Sequence, residues 1–292
     1  MKAESKTEAA AIGTEPAAVA GETLEVRGLC RSFGDHKAVD DVSFTLPPGG
    51  SLGIVGESGS GKTTTIRMVV GLDTPDAGSI ALGGRERGRK PRGRAERLAR
   101  AREIQMVFQD PYLSLDPRIT VRDCIDEVLR LHGDHADKAG RDARVEELLD
   151  QVGLGEREAG ALPKRLSGGQ RQRVAIARAL AAGPRVLILD EAVAALDVSI
   201  QAQILDLLGR IRREQGIGYL FVSHDLAVVR HITDDVVVLR NGRVVEEGRT
   251  TDVLSRPQHP YTRLLIDSVP GPGWDPDRIA ESRRALAAVE GG

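Results

Sequence analysis

The sequence predicts an α/β fold built on a buried parallel sheet, and three observations carry that prediction. The stretch GESGSGKTT at 56–64 sits between an apolar run, 52–55, and a helix-compatible segment, 64–70. Two further apolar runs, 186–189 and 219–222, are too short for helices and lack polar alternation, as strands buried on both faces do. Between 120 and 153 the apolar residues recur at helical spacing instead.

Bulk composition narrows the class. A chain of 292 residues with 40% hydrophobic and 29% charged residues reads as soluble and globular, with a sizeable core. Aromatic residues make up 3%, so Val, Leu, Ile and Ala must build that core. A net charge of −2 argues against wholesale electrostatic capture of nucleic acid. Cys30 and Cys124 lie far apart without metal-ligand spacing, so both read as packing residues in a reducing compartment. No run approaches the roughly 18 apolar residues of a membrane span. The first residues carry acids and no sustained apolar core, so they do not read as a secretory leader. Any membrane role must come through partners.

The elements follow in order. Residues 1–21, rich in Ala, Glu and Thr, read as a disordered tail. From 23 to 46 short alternating runs suggest antiparallel strands, with Leu24 and Val26, then Val42, Phe44 and Leu46, on one face. Pro47, Pro48, Gly49 and Gly50 turn the chain into the strand before the glycine loop. The basic stretch 85–102 reads as a solvated loop leading into a charged helix; contact with nucleic acid or anionic lipid is the other reading. Thr120 with Asp123 makes a capping-box start, followed by the stripe Val121, Cys124, Ile125, Val128 and Leu129. Val145, Leu148, Leu149 and Val152 form a second stripe, stopped by Gly153. A helix opening at LSGGQ (166–170) ends at Gly183-Pro184. The run 236–239, the turn Asn241-Gly242 and Val244-Val245 predict a hairpin. Beyond about 256 the chain reads as a tail containing Pro257, Pro260, Pro270, Pro272 and Pro276.

The chemistry lies at strand ends. Gly56, Gly61, Lys62 and Thr63 fit G-x-x-x-x-G-K-[ST]: glycines let successive N–H groups curl around phosphates. Lys62 adds a point charge, Thr63 a hydroxyl suited to Mg²⁺, and the helix N-terminus a positive field. Asp190 ends an apolar run and suits a metal; Glu191 beside it is placed to activate a water. Gln109 and His224 each follow a short apolar strand, the first suited to sensing Mg²⁺ or the water, the second to bonding a terminal phosphate; a surface glutamine and a structural histidine are the plain alternatives. Ser167, Gly168 and Gly169 open a second anion-binding helix end. One nucleotide does not need two such surfaces from one chain, so a two-fold dimer sharing each site is the economical arrangement.

This set, in this order, resembles the ATP-binding cassette family, over about residues 23–265. The resemblance implies a P-loop NTPase (RecA-like) α/β core with an antiparallel β subdomain and an inserted helical subdomain at about 110–170, the whole spanning 22–256. It implies ATP and Mg²⁺ as cofactors. Nucleotide contacts fall on Gly56, Glu57, Ser58, Gly59, Ser60, Gly61, Lys62, Thr63 and Thr64, and on Ser167, Gly168, Gly169 and Gln170. Thr63, Gln109 and Asp190 take the metal; Glu191, His224, Gln109 and Lys62 take the catalytic roles. Phe33 matches the position that stacks on adenine, worth about 1–3 kcal/mol, although a core position is its other reading.

QDPYLSLDPR, LDVSIQAQIL and RPQHPYTRLL look like the oligopeptide, dipeptide and nickel importers, which makes 257–292 an importer-type C-terminal segment. That subgroup implies a second ATPase subunit, identical or related, two membrane permease subunits docking beside Gln109, an external solute-binding protein, and a peripheral place on the cytoplasmic face of the membrane. Two departures stand out: Ala192 replaces a proline, and Ala194 a serine. The four-cysteine cluster that some members carry near the C-terminus is absent. The expected activity is ATP hydrolysis driving uptake of peptides or a similar small solute. A non-transport cassette acting on nucleic acid or ribosomes is the alternative, and a non-hydrolysing subunit a third reading.

Overall fold

The computed structural model describes residues 23–87, 89–110, 114–133, 137–269, 279–280, 282, 284 and 286. The tail expected at 1–21, and Pro270, Pro272 and Pro276, fall outside them.

Two sheets organise the molecule. The first contains β1 (Leu24–Phe33), β2 (His36–Leu46), β4 (Ala77–Leu82) and β5 (Arg85–Glu86), in the antiparallel order β2-β1-β4-β5. The second contains β3 (Ser51–Val55), β6 (Ile104–Val107), β7 (Val186–Asp190), β8 (Gly218–Val222), β9 (Asp235–Arg240) and β10 (Arg243–Arg249). Its order is β10-β9-β3-β8-β7-β6, parallel throughout except for the β9–β10 hairpin. That hairpin turns at Asn241 (φ 48) and Gly242 (φ 78), the paired left-handed residues of a two-residue turn.

The continuous apolar strands serve two cores at once, because successive side chains alternate faces. Val186, Ile188, Leu220, Val222, Val237 and Leu239 face the first sheet and helix α1 (Lys62–Val70), which contributes Ile66, Met68 and Val69. Leu187, Leu189, Tyr219, Phe221, Val236 and Val238 face the other helices. Helix α2 (Gly93–Glu103), which has no buried residue, leads into β6, while α3 (Val121–His132), α4 (Lys138–Gln151) and α5 (Glu156–Ala159) fill the region inserted after β6. Helix α6 (Gly168–Leu180), α7 (Val198–Gln215) and α8 (Leu226–Ile232) cover the sheet. Among the described residues, no helix is long and apolar enough to cross a membrane.

The helical stripes are buried as their spacing predicts, Val121, Ile125, Val145 and Leu148 each at 0% exposure, while Val128 is only partly covered. Thr120 caps α3 by accepting from the Asp123 N–H, but the Asp123 carboxylate answers the Thr120 hydroxyl, not its backbone N–H. The reciprocal capping box expected there is therefore one-sided, because an aspartate is one methylene shorter than the glutamate that reaches back.

The largest difference lies after 256. Proline count suggested a tail, yet α9 (Thr250–Ser255) is followed by α10 (Pro260–Asp267), whose Tyr261 and Leu264 are buried in the main core at 1% and 7% exposure. Pro260 occupies the first helical position, where its missing N–H costs nothing.

Candidate active site

The sheet order decides the site. β3, β8 and β7 are neighbours, so the loops leaving their carboxyl ends converge. A cleft of about 360 Å³ results, lined by Lys62, Thr63 and Thr64 from the glycine loop and α1, Glu191 after β7, His224 after β8, and Phe33 from β1. Ser58, Gly59 and Gly61 complete the loop side.

Two glycines are required by contact. A Cβ on Gly56 would lie 2.2 Å from the Leu239 carbonyl oxygen, and one on Gly61 (φ +100) 2.5 Å from that of Ala38. Both oxygens are backbone and cannot step aside. Lys62, at 6% exposure, donates from Nζ to the carbonyls of Gly56 (2.7 Å) and Glu57 (2.8 Å). Burial pushes its pKa down, opposed by the nearby charges of Glu191, Asp190 and Glu57. Burial, then the Glu191 charge, lift Asp190 to about 6, with Lys62 pulling the other way.

Glu191 adopts φ 47, a left-handed conformation unusual for a side chain that could simply start a helix. Its N–H donates to the Val222 carbonyl at 2.9 Å, tying the end of β7 to β8. The turn aims its carboxylate at His224, with Nδ1 and Oε1 3.0 Å apart. Ala192 is buried in the helical core, at 2% exposure, while Ala194 is exposed.

Phe33 is 50% exposed, which excludes the core reading. The Arg31 guanidinium carbon lies 4.9 Å from its ring centroid, a cation–π contact that steadies the ring. Asp76 holds this arrangement, accepting from Arg31 at 2.6 Å and from the Ser32 N–H at 2.7 Å.

Some expected contacts sit elsewhere. Ser60 is buried and does not line the cleft; its N–H donates to the Glu57 carbonyl at 3.2 Å and its carbonyl accepts the Gly242 N–H at 3.0 Å. The Glu57 N–H is committed to the Tyr261 hydroxyl at 2.9 Å. Gln109 is exposed after β6, one strand beyond β7, and does not line this chain's cleft. Ser167 and Gln170 form a capping box on α6: Ser167 Oγ accepts from the Gln170 N–H (3.2 Å), and Gln170 Oε1 from the Ser167 N–H (2.9 Å). The Gln170 side chain is thereby spoken for. Gly168 and Gly169 pack beside the start of α7, where a Cβ on Gly169 would meet Ile200 at 2.5 Å. None of these four lines the cleft either. Conversely, the cleft includes His36 and Ala38, which sequence reasoning missed; both follow Phe33 across the β1–β2 turn, which was the available signal.

A second, more apolar groove of about 330 Å³ runs beside β6 between α1 and the inserted helices. Leu72, Phe108 and Leu131 lie exposed along it at 59%, 43% and 47%. The basic stretch nearby is partly self-neutralised, since Arg85 and Arg87 pair with Glu103 and Arg100 with Glu96.

A family profile described as ABC transporter matches residues 39–194, more than half of the chain. The chain belongs to the ABC transporter family. A second profile, described as the oligopeptide/dipeptide transporter C-terminal region, matches residues 245–292. The chain is 50% identical over 250 residues to the oligopeptide transport ATP-binding protein OppD of Mycobacterium tuberculosis, covering 86% of this chain but 40% of that protein. It is 45% identical over 259 residues to the oligopeptide transport ATP-binding protein OppF of Bacillus subtilis, covering 87% and 84%. Among solved structures, a dimeric post-hydrolysis ATP-binding cassette, MJ0796 bound to ADP and Pi, superposes with a TM-score of 0.69 at 29% identity, covering 78% of this chain and 98% of that one. An ABC ATPase architecture therefore accounts for the two sheets and the inserted helices.

Proposed function

We propose that this ABC ATPase binds MgATP in the cleft, hydrolyses it between two cassettes, and so powers uptake of oligopeptides or a similar small solute. The observation that carries the reading is the convergence of Lys62, Glu191 and His224 at the carboxyl ends of three adjacent strands.

The cleft suits a polyphosphate. Backbone oxygens exclude a Cβ at Gly56 and Gly61, and the buried Lys62 ammonium, held by two carbonyl oxygens, presents a cation to an incoming anion. Free N–H groups at the start of α1 add to that field. The exposed Phe33 ring offers a stacking surface for adenine. Thr63 and Asp190 would hold Mg²⁺, which neutralises phosphate oxygens as a Lewis acid.

In hydrolysis Glu191 accepts the proton of a water that attacks the terminal phosphorus, the bond to the bridging oxygen breaks, and ADP and phosphate leave. His224, already 3.0 Å from Glu191, orients that carboxylate and lies within the same cleft to donate to the transferred phosphoryl group. Ser167, Gly168, Gly169 and Gln170 of a second cassette would close over the nucleotide, which explains why they do not line the cleft of their own chain. Gln109 would then sense metal or water on closure.

The apolar groove with Leu72, Phe108 and Leu131 suits short cytoplasmic helices of two permease subunits, holding the chain peripherally at the membrane, with an external solute-binding protein supplying cargo. The nucleic-acid reading is not favoured, since the matching profiles and relatives are transport proteins and Arg85, Arg87 and Arg100 of the basic stretch are paired with acids.

Replacing Glu191 by Gln tests the assignment. Removing a positioned base should lower kcat at least ~100-fold while MgATP binding persists and a nucleotide-bound dimer accumulates. Unchanged turnover would remove Glu191 from the role of base.

A further inference from the structure

We propose that Tyr261 is a positioning residue of the phosphate loop, through which the C-terminal helix α10 sets the affinity of the cleft for nucleotide. The inference rests on reading the cleft as an ATP site.

One peptide group in the loop is gripped from both ends. The carbonyl oxygen of Gly56 accepts from Lys62 Nζ at 2.7 Å, and the N–H of the same peptide, on Glu57, donates to Tyr261 Oη at 2.9 Å. In a trans peptide these two groups point in opposite directions, so an ammonium and a phenol clamp a single plane across the loop. They also polarise it in the same sense, which strengthens each bond. Lys62 holds the side of the loop that faces the cleft; Tyr261 holds the side that faces away.

Tyr261 is itself immobilised. It is 1% exposed, and the Arg240 guanidinium carbon sits 4.8 Å from its ring centroid. Burial pushes its pKa up, so the phenol stays neutral, and its oxygen accepts from the Glu57 amide. The residues before it are equally fixed. His259 Nδ1 accepts the Tyr261 N–H at 3.1 Å, capping α10, and the Glu246 carboxylate of β10 accepts the N–H groups of Gln258 (2.8 Å) and His259 (3.0 Å). Gln258, His259, Pro260 and Tyr261 thus have successive tasks: dock the turn on β10, cap the helix, start it, and reach the loop. The far end of α10 stays with the same site, since Leu265 and Ser268 share a cleft of about 420 Å³ with Gly56, Glu57 and His224.

The physical consequence follows from population arithmetic. Without the Tyr261 hydroxyl, a partly buried N–H loses its partner and the loop relaxes into other conformers. Nucleotide then binds the competent fraction alone, and its apparent affinity falls by that fraction, while the bound complex turns over as before.

The test compares the full-length chain with Tyr261→Phe, which keeps the ring on Arg240 and deletes one oxygen. MgATP titration calorimetry, steady-state ATPase kinetics and amide exchange at Glu57 are the readouts. Expected are a roughly tenfold rise in both Kd and KM for MgATP, kcat within about twofold, and faster exchange at Glu57. A loss of kcat with KM unchanged would mean a merely structural role and would overturn the proposal. So would an unchanged Kd in the variant when the parent chain binds. Should the parent chain bind no MgATP, the ATP reading fails separately; Glu57 exchange then decides the clamp alone, and unaltered protection overturns it.

Discussion

Glu191 combines the proposed role of base with a strained backbone, and two substitutions separate them. At φ 47 its main chain lies in the left-handed region, which costs a residue with a Cβ about 1–2 kcal/mol. Glu191→Ala and Glu191→Gly both delete the carboxylate and its 3.0 Å contact with His224, so that loss cancels between them. What remains is the Cβ. Glycine escapes the left-handed penalty but brings a more flexible unfolded chain, worth about 0.4–1 kcal/mol in the other direction. The difference leaves Glu191→Gly more stable than Glu191→Ala by about 1 kcal/mol. For a domain of this size that is a Tm difference of about 2 °C. Urea titration and thermal melts without nucleotide measure it directly, and both variants should be inactive in hydrolysis. If the alanine variant equals or exceeds the glycine variant in stability, the backbone at 191 stores no strain. The tight turn would then need another explanation.

Two further outcomes are expected. Phe33→Ala should weaken MgATP binding by about 1–3 kcal/mol while leaving the affinity for Mg-triphosphate unchanged, as measured by titration calorimetry; equal loss for both ligands would disconnect the ring from adenine. Thr120→Ala removes the oxygen that accepts the Asp123 N–H at the start of α3 and should cost about 1 kcal/mol in urea unfolding, whereas a change within 0.3 kcal/mol would show that helix packing alone fixes that end.

Legibility in the sequence tracked the range of the forces involved. The glycine loop and the acid pair stood out because their motifs are confined to a few consecutive residues, Gly56 to Thr64 and Asp190-Glu191. The core strands stood out because burial on both faces demands unbroken apolar runs, as at Leu187, Ile188 and Leu189. Phe33 was ambiguous, since a lone aromatic residue carries no local mark of exposure; its position at the end of β1, beside Arg31, settles it. The helix after 256 was not legible because prolines signal the end of one helix and the start of another equally well. Pro260 does the latter.

The amino-acid sequence by itself determined the class of fold, the glycine-rich loop before α1 and the acids that end β7, since periodicity and short motifs depend on neighbours along the chain. Tertiary structure alone decided that β3, β8 and β7 lie side by side, that Glu191 turns left-handed toward His224, and that Tyr261 reaches back across 204 residues to hold Glu57. Those contacts join residues distant in sequence, and sheet order, which no local pattern encodes, brings them within hydrogen-bonding reach.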